Sequence, residues 1–122
     1  MKVLWIDCKS ESRQSFIKTF SLILISEGFE VSNFYWHHED IRDIDKATEA
    51  VKGIDIVIVH FGSMARAEAA AILTKIKATG VKVIVISASS ILFEEADAVT
   101  DMGELGPDFG TNLTKLIKSI CS

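Results

Sequence analysis

The sequence contains little of what marks several common classes of protein. Only two of its 122 residues are cysteines, Cys8 and Cys121, and only one is a proline. Two cysteines near opposite ends of a chain do not build a disulfide framework, so we predict reduced thiols and a cytoplasmic location. The apolar runs are far shorter than the ~18 residues of a membrane span, and the first ends at Asp7, too soon for a signal peptide. We therefore expect no membrane contact.

An excess of basic charge is also missing. The chain has 13 lysines and arginines against 17 acidic residues, which gives a formal net charge of −4. Because no basic patch is present, direct binding of nucleic acid is not expected. Apolar material is plentiful, since 48% of the residues are hydrophobic. This content in 122 residues predicts a single domain, residues 1–122, around one substantial core.

Short β-rich apolar runs alternate with longer amphipathic patterns from one end of the chain to the other. This alternation is typical of repeated β-α units. The fourth run is almost entirely valine and isoleucine, as expected of a strand that is covered on both faces. The predicted strands are Lys2–Asp7, Glu30–Trp36, Asp55–His60, Val81–Ser87 and a brief strand at Ala98–Thr100.

The spacing of apolar residues predicts a helix after each strand. The first helix is capped by Ser10 and stopped by Gly28, and its apolar stripe is wide enough to leave Leu22 and Ile25 at the surface. The other predicted helices run over residues 41–51, from a cap at Ser63 to Thr79, from Ser89 or Ser90 to Ala96, and around Leu113–Ile120.

Polar side chains stand where the predicted strands end. The carboxyl ends of parallel strands meet at one edge of the sheet, and functional groups of such folds collect there. We therefore expect these residues to share one cleft. They are Asp7 and Cys8 after the first strand, His37 and His38 after the second, His60 after the third and Ser87 after the fourth.

Four segments carry a resemblance to a known family: Lys2–Asp7, Gly28–Val31, Asp55–Val59 and Val83–Ala88. In order and spacing, these segments make essentially the whole chain resemble the receiver domain of bacterial response regulators. The resemblance implies an α/β fold of the flavodoxin-like (βα)5 type, a doubly wound parallel sheet with strand order 2-1-3-4-5. It also implies a role in two-component signal transduction and phosphorelay, without enzymatic activity.

The residues at the receiver's working positions depart from the family pattern. Receivers place two acidic residues after the first strand, a phosphorylatable aspartate after the third, Ser or Thr after the fourth and lysine after the fifth. This chain has Asp7 and Cys8, then His60, then Ser87, and no lysine near Asp101. Aspartyl phosphorylation needs a carboxylate nucleophile, a magnesium ion and a balancing cation. We predict a pseudo-receiver with a degenerate phosphorylation pocket, no catalytic residue, and no metal or cofactor.

Receivers signal through the face around their fifth strand. The aromatic residue that the family carries there is replaced here by Val99, so the usual coupling to phosphorylation is not expected. The face itself can persist as a docking surface. We therefore predict that the chain binds a protein partner or associates with itself, through a partner surface that includes Ile91, Leu92, Met102, Leu105 and Phe109.

Two alternatives remain open at the cleft. Asp7, Cys8 and His60 have the chemistry of a cysteine-histidine pair or a partial zinc site, which would make the chain a small-ligand, metal or pH-responsive module. Imidazole can also accept a phosphoryl group, so His60 could replace the missing aspartate as the phosphoacceptor. The ordinary interpretation is that His60 is a hydrogen-bonded residue that fills the space of the missing aspartate.

Overall fold

The computed structural model describes residues 1–37, 41–62, 64–87, 94–101, 106 and 108–121, and the side chain of Ile41 is left out. Its strands are β1 (Lys2–Cys8), β2 (Glu30–Trp36), β3 (Ile56–Val59), β4 (Lys82–Ile86) and β5 (Ala98–Thr100). They form one parallel sheet in the order β2-β1-β3-β4-β5. The flavodoxin-like order that the resemblance implied is confirmed.

Four helices within the described residues cover the two faces of the sheet. The strands alternate their side chains between the faces, so Ile56 and Ile58 of β3 pack on one side and Val57 and Val59 on the other. The helices are α1 (Glu11–Ser26), α2 (Ile41–Ala50), α3 (Arg66–Lys77) and α4 (Phe109–Cys121). Helices α1 and α4 cover the Ile58 face, and α2 and α3 cover the Val57 face.

Local signals account for the position of α1. The Ser10 side chain accepts a hydrogen bond from the backbone N–H of Arg13, which satisfies one of the free donors of the first turn. After the helix, Gly28 adopts a φ of +99°, a left-handed conformation that favours glycine. The predicted exposure of this helix is confirmed, because Leu22 is 66% exposed and Ile25 is 48% exposed. Among the described residues, no helix combines the length and the apolar character needed to cross a membrane.

The structure corrects several predicted boundaries. Strand β3 is shorter than predicted, and Asp55 and His60 flank it instead of belonging to it. Ser63 lies outside the described residues, and the N-cap position of α3 belongs to Ala65, which makes no side-chain capping bond. Residues 94–97 form turns that lead into β5, so the predicted helix does not extend to Ala96.

Phe109 is a correction to the predicted partner surface. It is only 5% exposed, because α4 begins at Phe109 and turns this ring toward the sheet. The ring centroids of Phe109 and Phe20 are 4.2 Å apart, and Trp5 and Phe16 also contact Phe109. Phe109 is therefore a core residue. The other four residues predicted for that surface, Ile91, Leu92, Met102 and Leu105, lie outside the described residues.

Candidate functional site

Neighbouring strands bring three of the four predicted pocket residues together. Asp7 and Cys8 lie at the end of β1, and His60 directly follows β3, which pairs with β1. The backbone N–H of His60 donates to the carbonyl of Ile6 at 3.0 Å, which continues the pairing up to the site. One ligand-type atom from each of Asp7, Cys8 and His60 lies within 4.8 Å of the others.

The remaining predicted residues lie at the same edge but occupy different surroundings. Ser87 follows β4, and its backbone N–H donates to the carbonyl of Thr100 at 2.9 Å. His37 follows β2 and is exposed, and its backbone N–H donates to the Asp43 carboxylate at 3.0 Å. His38 lies outside the described residues. The cluster of short contacts among the described residues therefore centres on Asp7.

The Asp7 carboxylate is fully buried and accepts four hydrogen bonds. One oxygen, Oδ1, accepts from the backbone N–H of Cys8 at 2.7 Å and from Nε of Arg13 at 3.0 Å. The other, Oδ2, accepts from Nη2 of Arg13 at 2.7 Å and from Nε1 of Trp5 at 3.2 Å. A carboxylate offers about four acceptor positions. Protein donors therefore fill the acceptor positions that a metal ion on Asp7 would need.

His60 adds a second positive group to the same carboxylate. Its Nδ1 lies 3.4 Å from Oδ1 of Asp7 and makes no well-aligned hydrogen bond, so the contact is an ion pair. The side chain of His60 is 18% exposed. Interaction with Asp7, and then with Cys8, outweighs the effect of burial and raises the pKa of His60 from 6.5 to about 9. The imidazole is consequently protonated at neutral pH.

The pKa of Asp7 responds in the opposite direction. Burial alone would raise it, but the interactions with His60, Arg13 and the Cys8 N–H together lower the pKa of Asp7 from 3.8 to about 2. The Asp7 contact is in turn the main reason that the pKa of Arg13 is raised. The site is therefore a buried carboxylate held between two cations, and the positive charge that a metal ion would bring is already supplied.

A second ion pair borders the site. Nζ of Lys9 lies 2.7 Å from Oδ2 of Asp43, with Lys9 48% exposed and Asp43 11% exposed. The Lys9 hydrogen bond, followed by that from the His37 backbone, lowers the pKa of Asp43. Lys9 also donates its backbone N–H to the carbonyl of Trp36. These contacts join the β1–α1 connection to α2 and to the end of β2, and so fix the backbone next to Asp7.

Arg13 and Trp5 are site residues that the sequence patterns did not predict. Arg13 lies in the first turn of α1, where the helix dipole disfavours a positive charge. A cation at such a position suggests a specific anionic partner, and Asp7 is six residues earlier in the chain. Trp5 lies two residues before Asp7, on the same face of β1. Alternation along the strand was the signal that could have identified it.

Comparison with solved structures identifies the fold. A response regulator receiver protein from Sinorhizobium medicae WSM419 is similar with a TM-score of 0.67 and 15% sequence identity, over 98% of this chain and 96% of that chain. The chain has a receiver-like fold. No protein-family model matches the sequence, and the search of curated proteins likewise found no match.

Two further solved structures contain a fold similar to that of this chain. A 3-dehydroquinate dehydratase-like protein from Bifidobacterium longum is similar with a TM-score of 0.65 and 13% identity, over 94% of both chains. The lysine decarboxylase LdcF from Francisella novicida is similar with a TM-score of 0.64 and 12% identity. That match covers 98% of this chain but only 17% of the decarboxylase. At these identities the similarities establish the fold alone.

Proposed function

We propose that this chain is a phosphorylation-independent receiver-like domain that acts in cytoplasmic signal transduction by contact with a protein. It is not an enzyme in this proposal. The observation that carries the proposal is the pair of hydrogen bonds from Arg13 to both oxygens of Asp7. A receiver phosphorylated on aspartate needs a carboxylate free to hold a magnesium ion, and here that carboxylate is bound internally.

The position after β3 supports the same conclusion. Phosphoryl transfer to aspartate needs a carboxylate nucleophile, and this chain has His60 instead. A protonated imidazole is a poor nucleophile because its lone pair is bound to the proton, and the pKa of about 9 keeps His60 protonated at neutral pH. The Asp7 carboxylate lies beside the ring as its ion-pair partner. The same contacts disfavour His60 as an alternative phosphoacceptor.

Contact with a protein is supported by features away from Asp7. Leu22 and Ile25 expose apolar surface on α1. An open groove also lies between β5 and α4, lined by residues that include Val99, Lys115 and Leu116. Receivers of the family use this region of the fold for signalling. The proposal assigns recognition to surfaces of this kind, with a constant conformation in place of a phosphorylation switch.

The test is exposure to a small phosphodonor, acetyl phosphate, with magnesium. Intact-mass spectrometry at neutral pH is expected to show no added phosphate, and the sedimentation behaviour of the chain should stay unchanged. A receiver with intact carboxylates, treated in parallel, controls for the reagent. Stoichiometric phosphate on this chain would overturn the proposal. If that phosphate disappeared in His60→Ala, the alternative phosphoacceptor would be identified.

The competing function is a metal-responsive module at Asp7, Cys8 and His60, favoured by the closeness of their ligand-type atoms. A ligand that binds only the folded state raises the unfolding temperature with its concentration. Thermal unfolding should be unchanged by magnesium or zinc if Asp7 is already neutralised by Arg13. A zinc-dependent increase that is lost in Cys8→Ser would support the competing function instead.

A further inference from the structure

The thiol of Cys8 belongs to the cluster around Asp7, but neither a receiver role nor the Asp7–Arg13 pair uses it. Its sulfur lies within 4.8 Å of a nitrogen of His60 and an oxygen of Asp7. The residue is partly exposed, so a small molecule can reach it. We propose that Cys8 is a site of oxidation by hydrogen peroxide to a sulfenic acid, with His60 as the proton donor to the leaving oxygen.

The backbone after β3 passes close to the sulfur at a residue without a side chain. Gly62, in the connection between β3 and α3, has a φ of +63° and is exposed. A Cβ atom at this position would lie 3.0 Å from Sγ of Cys8, closer than ordinary packing allows. Glycine therefore keeps side-chain atoms away from this flank of the sulfur.

A proton donor lies close to the sulfur of Cys8. Thiols react with peroxide as thiolates, and the hydroxide that departs needs a proton. His60 is protonated at neutral pH, and its contact with Cys8 is the second cause of its raised pKa. The electrostatic influence of Cys8 also contributes to the raised pKa of Arg13. Two cations and one anion, Asp7, thus surround the sulfur.

The proposed step balances with hydrogen peroxide as the oxidant. The thiol first gives its proton to solvent, and the sulfur of the thiolate attacks one peroxide oxygen. The S–O bond forms as the O–O bond breaks, so sulfur is oxidised and the two oxygens are reduced. The departing hydroxide takes the proton of the His60 imidazolium and leaves as water. The product is the sulfenic acid of Cys8 beside a neutral imidazole.

The chain contains its own control thiol. Cys121, the last residue of α4, is partly buried, and burial, followed by the charge of Asp55, raises its pKa. Lys82, at the start of β4, is another charged group near it. Cys121 therefore lies toward the amino-terminal edge of the sheet, away from Cys8. The two thiols experience the same solution, but of the two only Cys8 lies beside His60, so their relative rates isolate the effect of the site.

The experiment measures peroxide modification of each thiol in the intact chain, with a chelator present to remove trace metals. Dimedone traps the sulfenic acid, and peptide mass spectrometry gives separate rates for Cys8 and Cys121. Cys8 should react at least about tenfold faster than Cys121 at neutral pH. In His60→Gln the Cys8 rate should fall by about tenfold, with the Cys121 rate unchanged as an internal measure of folding.

Equal rates for the two thiols in the wild-type chain would overturn the proposal, and this comparison requires no variant. A folded His60→Gln chain that retains the fast rate at Cys8 would also overturn it, because the proton donor would then be irrelevant. Above pH 9, where His60 loses its proton, the advantage of wild type over His60→Gln should shrink. Phosphodonor is absent throughout, so the outcome is independent of the proposed signalling function.

Discussion

Arg13 determines what Asp7 can do in this molecule. The carboxylate has no exposed surface, and a buried charge without partners costs several kcal/mol. Arg13 meets both of its oxygens in a bidentate arrangement that a lysine cannot reproduce. Asp7 is thereby a structural anion, held by two hydrogen bonds from a helix of its own chain.

Removing Arg13 should therefore destabilise the chain. Arg13→Gln leaves His60 as the one cation beside buried Asp7, and we expect a loss of about 2 kcal/mol, below the range for fully buried pairs because Arg13 is 26% exposed. Arg13→Lys should lose less, since one charged donor remains. Urea unfolding measures both variants. Lys18→Gln, an exposed basic residue on the same helix, is the control and should stay within about 0.5 kcal/mol.

Helices α1 and α4 pack closely because Gly110 has no side chain. A Cβ built at Gly110 would overlap Cγ2 of Ile23, and both Gly110 and the neighbouring Phe109 are buried. The aromatic contacts of Phe109 with Phe20 and Phe16 lie in the same interface. The fit between these two helices sets the position of α1. The first turn of α1 in turn carries Arg13 to Asp7.

Substitution of Gly110 tests this packing. Alanine gains up to ~1 kcal/mol of helix propensity, but overlap with Ile23 should outweigh that gain and leave Gly110→Ala destabilised by about 1–2 kcal/mol. In an Ile23→Ala background the overlap disappears, so the same substitution should be neutral or stabilising. Chemical denaturation of all four proteins completes the cycle. An additive cycle would mean that Gly110 and Ile23 do not limit each other's packing.

Stability of the whole molecule should depend on pH through the Asp7–His60 pair. The folded-state pKa of His60 is raised, so its contribution is complete below pH 6.5 and is lost as the pH rises through about 9. The pKa of Asp7 is lowered, so its contribution is complete above pH 3.8 and is lost as the pH falls toward 2. Both are fully present from about pH 4 to 6.5.

The alkaline limb is the measurable part of this dependence. The raised pKa of His60 corresponds to about 3 kcal/mol of stability. The same ion pair also lowers the pKa of Asp7, so this energy is counted only once. The free energy of unfolding of wild type should fall by an amount of this order between pH 6.5 and 9.5, whereas His60→Gln should change much less. His37→Gln, at the exposed histidine of the same edge, should keep the wild-type slope. Parallel profiles for wild type and His60→Gln would contradict the ion pair.

The alternation of strands with helices and the gathering of polar groups at one edge followed from local patterns, whereas the strand order came from the resemblance to receiver domains. Runs of valine and isoleucine separated by amphipathic segments have few ways to bury their apolar faces, and a parallel sheet with helices on both sides is the simplest. The same patterns placed Asp7, Cys8 and His60 at neighbouring strand ends. They also predicted that Leu22 and Ile25 are exposed, because the apolar stripe of α1 is wider than the one face that the helix buries.

The partners of these residues depended on tertiary structure. Hydrogen bonds from Arg13 and Trp5 to Asp7, and the burial of Phe109, depend on how α1 and α4 sit on the sheet. Side-chain packing between distant segments decides that geometry, and no periodicity in one segment encodes it. The sequence by itself therefore determined which groups stand at the edge of the sheet. Only the folded chain decided that Asp7 is neutralised from within, because a short-range charge pair forms only where packing brings its members together.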